Sequence, residues 1–214
     1  MLKFALILIY IFICFLISIV YKKYFPNNKE ALRKIIHIGI GPLIPFAKFL
    51  EIDQISALYF TGIISLLTFI NYQSKLFPTI EDVERKSYGT IFYCLSLFIL
   101  ISLYWDKDPT SLYAGFFIMT FGDGFAGLVG KNFKSKSWNL FNQKKSFFGT
   151  MTMFLTSLII VYSLSYFQKY PFNTNFITIA IISTSLEQIS FLGIDNFVVP
   201  IAAAICFNFF ITGL

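Results

Sequence analysis

Apolar runs of membrane-crossing length constrain this chain more than anything else in it. A helical span needs about 20 mostly apolar residues to cross the hydrocarbon core. Such runs fall at roughly 2–21, 35–50, 55–72, 89–105, 111–129, 147–167, 174–190 and 196–213. The second is short and interrupted by Pro42 and Pro45, and the seventh is polar at its C-terminal end. No polar block between them is long enough to fold alone. The expected architecture is an all-α polytopic integral membrane protein with about eight transmembrane helices, no soluble domain, and a single domain over 1–214. Composition agrees: 57% of the 214 residues are hydrophobic, 13% are charged, and the mean hydropathy is +0.72. A soluble domain of this size would not need so much apolar surface. The first run, from Phe4 to Val20, exceeds the roughly 7–15 residues of a signal-peptide core and lacks a small-x-small exit, so it reads as a span.

The basic residues orient the spans. Loop 21–34 holds Lys22, Lys23, Lys29, Arg33 and Lys34, loop 73–88 holds Lys75, Arg85 and Lys86, and loop 130–146 holds Lys131, Lys134, Lys136, Lys144 and Lys145. That leaves only Lys3, Lys48, Lys107 and Lys169 for the other side. The positive-inside rule puts the three basic loops in the cytoplasm and both termini outside. The net charge of +6 is therefore a membrane-loop pattern rather than a nucleic-acid footprint. Cys14, Cys94 and Cys206 each lie alone in an apolar run, which argues against a disulfide framework or a zinc site.

Four polar constellations interrupt this apolar plan. In Glu30-Ala-Leu-Arg-Lys-Ile-Ile-His37, the residues Glu30, Arg33, Lys34 and His37 share one helix face. That face is either a basic flank that snorkels to lipid phosphates or a cationic surface for a substrate phosphate. Glu84-Arg-Lys-Ser-Tyr-Gly-Thr90 and Gln143-Lys-Lys-Ser-Phe-Phe-Gly-Thr150 resemble each other, and each precedes an apolar span. Ser87 and Ser146 are suited to N-caps, and helix N-termini offer free N–H groups to anions. Arg85 and Lys86, like Lys144 and Lys145, flank those starts.

In Phe121-Gly-Asp-Gly-Phe-Ala-Gly-Leu-Val-Gly-Lys131, residues Gly122, Gly124 and Gly127 match G-x-G-x-x-G. A membrane span precedes them where a dinucleotide fold needs a strand, so the glycines read as places of close backbone approach. Asp123 is the costly residue, an ionisable group at the edge of a span. A carboxylate beside phosphate-seeking lysines suits Mg²⁺, which takes one or two carboxylates plus phosphate oxygens. Finally, Glu187 and Asp195 bracket a short turn containing Gly193 with no basic neighbour in sequence. All four constellations fall on one predicted membrane face. Phosphoryl transfer requires what they offer: cations on phosphate oxygens, a positioned metal and an oriented nucleophile. A transporter would place its charges nearer mid-span.

EALRKIIH, ERKSYGT, GDGFAGLVGK, KKSFFGT and the closing E-x(7)-DN-x(3)-P, in this order from Glu30 to Pro200, resemble the polyprenol kinase family, the membrane kinases of phytol, farnesol and dolichol. Compact length and motif spelling are most similar to the phytol and farnesol kinases. The resemblance implies transfer of a phosphate from CTP to the hydroxyl of an isoprenoid alcohol, with Mg²⁺, so the expected partners are a nucleotide and a membrane lipid. It implies a metal or nucleotide role for Asp123 and phosphate contacts from Lys144, Lys145 and Ser146, with Gly149 and Thr150 at the helix start. Arg33, Lys34 and His37 would form one conserved face, and Glu187, Asp195 and Asn196 would complete the site. Either Asp195 or Glu187 would serve as metal ligand or as base to the alcohol. After Lys131-Asn-Phe the family usually continues with Gly, whereas this chain has Lys134. The same motifs are faintly similar to phosphatidate cytidylyltransferases, but the chain ends in Asp195-Asn196 rather than the Asp-Arg-x-Asp of that enzyme.

Overall fold

The computed structural model describes residues 2–25, 29–74, 88–141, 143–189 and 191–213. Its helices follow the apolar runs: α1 (Leu2–Tyr24), α2 (Lys29–Gly39), α3 (Leu43–Phe49), α4 (Gln54–Ser74), α5 (Gly89–Tyr104), α6 (Pro109–Phe117), α7 (Gly124–Asn132), α8 (Phe147–Phe167), α9 (Asn175–Ile189) and α10 (Asp195–Phe207). A π-helical segment, Ile118–Asp123, joins α6 to α7, and a second, Asn208–Thr212, extends α10. Counting α2 with α3 as one broken pass and α6 with α7 as one continuous pass, the described residues make eight helical passes. Among the described residues, five helical stretches are long and apolar enough to cross a membrane, and α5 is a shorter apolar helix.

Two boundaries differ from the sequence expectation. The second pass begins at Lys29 rather than near 35, so Arg33 and Lys34 belong to a helix and not to a loop. The break in that pass comes where the sequence marks it. Pro42 and Pro45 enter α3 only at its N-terminal end, where a missing N–H costs no helical hydrogen bond. The basic stretch expected as a plain loop over 130–146 contains an antiparallel hairpin, β1 (Ser137–Leu140) on β2 (Gln143–Ser146), with Ser137 opposite Ser146 and Leu140 opposite Gln143.

The core lies around α10, which packs on α5, α6 and α9. Val199, Ala203, Ala204 and Phe207 of α10 are fully buried, as are Leu112 and Ala114 of α6. By contrast α1 and α4 leave long apolar side chains outside, among them Phe12, Ile13, Ile17, Ile63 and Leu66. Exposed apolar stripes of this length suit contact with lipid. Polar side chains fasten the helix ends. Asp108 caps α6 by accepting from the Ser111 N–H at 3.2 Å and hydroxyl, and its carboxylate also accepts from Asn208 Nδ2 (3.0 Å) and Thr212 Oγ1 (3.1 Å). Ser146 caps α8 by accepting from the Gly149 N–H at 3.2 Å, the role expected of a Ser at that boundary.

Candidate active site

Three helices bring one carboxylate each to a single point. Asp123 comes from the end of the π segment, Glu187 from the last turn of α9 and Asp195 from the first turn of α10. One carboxylate oxygen from each lies within 4.8 Å of the others. Asp123 and Glu187 are both 7% exposed. The turn before Asp195 is sharp, with Leu192 and Gly193 in left-handed backbone (φ 52° and 86°), and the Leu192 carbonyl accepts from the Tyr88 N–H at 3.0 Å. The π segment sets the rotation of the chain entering α7. Such widened turns recur at functional sites.

Buried cations face the acids. Lys34, on α2, makes an ion pair with Asp123. Lys145, on β2, pairs with the Glu187 carboxylate and also donates to the Glu187 carbonyl at 2.8 Å. Glu187 thus gains in space the basic neighbour it lacks in sequence. The hairpin explains why Lys145 points inward: alternate residues on a strand face opposite ways, so Gln143 and Lys145 are buried while Lys144 is exposed. The two lysines expected to act together are consecutive in the strand and therefore face opposite ways.

His37 lies one helical turn after Lys34. Its Nε2 is 3.2 Å from the Met119 carbonyl and 3.7 Å from Asp123 Oδ2. A carbonyl can only accept, so Nε2 carries the proton and the ring is aimed at both oxygens. Tyr93 of α5 packs on that ring at 4.5 Å between centroids, and its hydroxyl shares a 2.8 Å hydrogen bond with Thr120. Arg33, Lys34, His37, Tyr93, Asp123 and Asn196 line a small cavity of about 70 Å³. Asn196 donates to the Gly89 carbonyl at 2.9 Å, while its buried Oδ1 has no hydrogen-bond partner among the described residues.

The remaining residues singled out by sequence lie around this centre in supporting places. Gly122 abuts Met153, Gly124 abuts Ile38, and Gly127 abuts the Lys34 side chain. They are therefore helix-contact glycines, and a helix rather than a strand precedes them. Gly149 lies against Gly130 at the crossing of α7 and α8, and the Thr150 hydroxyl donates to the Ser146 carbonyl at 3.0 Å. Lys131 is exposed at the end of α7. Lys134 is exposed and is not among the described residues in left-handed backbone, so this turn does not demand glycine there. Arg85, Lys86 and Ser87 lie outside the described residues. Sequence reasoning missed Tyr93 and Thr120, for which an aromatic and a hydroxyl inside apolar runs give no local signal.

The donor set suits a divalent cation. Three carboxylate oxygens this close repel one another unless positive charge joins them, and all-oxygen sets favour Mg²⁺ or Ca²⁺ over softer metals. The two lysines and His37 add donors for anionic oxygens at the rim.

No protein-family model and no solved structure matches this chain. Among curated proteins it is 35% identical over 187 residues to a phytol kinase of Synechocystis sp., an alignment covering 82% of this chain and 77% of that protein. It is 29% identical over 136 residues to a probable chloroplastic phytol kinase 2 of Glycine max, and 26% identical over 147 residues to the chloroplastic phytol kinase 1 of Arabidopsis thaliana. Those alignments cover 62% and 63% of this chain and 45% and 48% of the plant proteins, so they span about half the plant relatives' length.

Proposed function

The chain belongs to the phytol kinase family, and from that membership we propose that it transfers the terminal phosphate of CTP to the hydroxyl of an isoprenoid alcohol at one face of the membrane. The observation that carries this reading is the meeting of Asp123, Glu187 and Asp195 from three helices, with a buried lysine paired to each of the first two. In the reaction the alcohol oxygen attacks the terminal phosphorus, the bond to the bridging oxygen breaks, and CDP leaves. The hydroxyl proton passes to a carboxylate, Glu187 or Asp195. Asp123 and Asp195, joined by Glu187, would hold Mg²⁺, which when bound neutralises charge on the phosphate oxygens. Lys34 and Lys145 hold two of these acids in place and offer N–H donors toward the triphosphate. Asn196 Oδ1, without a partner among the described residues, supplies an acceptor for a hydroxyl at the small cavity. Cytosine as the base, Mg²⁺ as the metal and a cytoplasmic active site follow from the family resemblance and the basic loops.

The test is direct. Purified protein in detergent, given phytol, Mg²⁺ and CTP labelled at the terminal phosphate, should yield labelled phytyl phosphate and CDP. Asp123→Asn should lower the rate at least about a hundredfold, the scale of losing a positioned charge at the reacting centre. A mutant that keeps most of its rate would remove Asp123 from the mechanism. Release of pyrophosphate instead of CDP would make the enzyme a cytidylyltransferase and overturn the reading.

A further inference from the structure

A second and much larger cavity, of about 400 Å³, adjoins the small polar one. Ile36, Ile40, Thr90 and Tyr93 line both, so the two spaces meet beside His37 and Asp123. The large cavity lies between α1 with α3 on one side and α4 with α5 on the other. It follows one face of α5 from end to end, through Thr90, Tyr93, Cys94, Leu97, Ile101 and Trp105. Fifteen residues of helix rise about 22 Å. Its walls are mostly apolar: besides Asn71 and Thr90, the polar lining groups Thr61 and Thr68 turn their hydroxyls to carbonyls of their own helix, Ala57 (2.8 Å) and Ser65 (2.8 Å). The far end is built as a floor. Trp105 is buried there, its indole N–H donates to the Ile52 carbonyl at 3.2 Å, and Lys48 donates to the Trp105 carbonyl at 2.9 Å.

We propose that this chamber holds the tail of the acceptor alcohol, its hydroxyl end at Asp123 and its far end at Trp105, and that its depth limits the chain length accepted. The proposal rests on the kinase reading for the identity of the polar end, while the chamber itself selects a long apolar molecule. An engineered cavity of about 150 Å³ binds a six-carbon ring. By that scale 400 Å³ takes on the order of 16 carbons. A tail of about this size therefore fits, whereas a dolichol-length chain would have to leave the chamber sideways. The buried Trp105, fixed at the far end by its hydrogen bonds, gives the chamber a point from which length is measured.

Two substitutions shorten the chamber by steps. Gln54, at the start of α4, donates to the Ile101 and Ser102 carbonyls near the floor, so Ala57 lies low in the chamber and Thr61 one turn higher. Ala57→Phe should keep turnover of ten-carbon geraniol and reduce that of twenty-carbon phytol at least tenfold in kcat/KM. Thr61→Phe should move the cut-off to still shorter alcohols. Stabilisation of the protein by each alcohol, measured as a Tm shift in detergent without nucleotide, should follow the same order. If wild type and both variants show one chain-length profile, the proposal is overturned even though the kinase reading stands. If phytol stabilises wild type but not Ala57→Phe, yet no alcohol is phosphorylated, the chamber stands and the kinase reading falls.

Discussion

Gly127 shows how a single missing side chain positions charge. A Cβ at this place would lie 2.5 Å from Lys34 Cε, so the absence of one lets the lysine lie flat on α7 and reach Asp123. The obstruction would meet the end of a flexible chain rather than backbone, so the fold can accept it and the ion pair cannot. Gly127→Ala should leave Tm within a few degrees and lower kcat/KM about tenfold to a hundredfold, the scale of one charge-assisted hydrogen bond. Unchanged kcat/KM in a well-folded mutant would show that the Lys34–Asp123 pair does not serve the reaction. The G-x-G-x-x-G spelling thus belongs to helix contact, with Asp123 as its chemical residue.

At the scale of elements, the site depends on how closely α6 and α10 approach. A side chain on Gly115 would overlap the Pro200 carbonyl and press on the Ala204 methyl group. Both neighbours are fixed in a packed core, one of them backbone, so the cost cannot be relieved by a rotamer change. Because Asp195 starts α10 and Asp123 ends the segment continuing α6, pushing the helices apart also separates the acids. Gly115→Ala should destabilise the protein by about 1–3 kcal/mol, read as a lower Tm, and weaken Mg²⁺-dependent stabilisation in parallel. A mutant as stable as wild type would show that the two helices have slack at this contact. The β1–β2 hairpin is the other deciding element, since its alternation alone chooses Lys145 over Lys144.

For the whole molecule, the acids, the buried lysines and the hairpin share one end of the bundle, and the floor at Trp105 lies toward the other. Lys136 on the hairpin side and Lys169 after α8 are both exposed, separated by the full 21-residue length of that helix. In a background with Cys14, Cys94 and Cys206 replaced, Lys136→Cys should resist a membrane-impermeant maleimide on intact cells, and Lys169→Cys should react. The reverse pattern would invert the orientation drawn from the basic loops, and equal labelling of both would contradict the helix between them crossing the membrane.

The helical passes were legible in the sequence because the bilayer imposes a length and a polarity on every span, and both are local properties. The break at Pro42, the cap at Ser146 and the candidacy of Asp123, Glu187 and Asp195 were legible for the same reason: each is a residue out of keeping with its immediate surroundings. What tertiary structure alone decided is who meets whom. The pairing of Lys34 with Asp123 spans 89 positions and that of Lys145 with Glu187 spans 42, and neither leaves a periodic trace. The hairpin was hidden because each strand has only 4 residues: the alternation in Ser-Trp-Asn-Leu is too short to stand out, Gln-Lys-Lys-Ser carries none, and the two draw their register from each other. The chamber was hidden for a deeper reason. Most of its lining residues are ordinary apolar side chains, indistinguishable in sequence from those facing lipid or core, and only helix packing leaves a space among them.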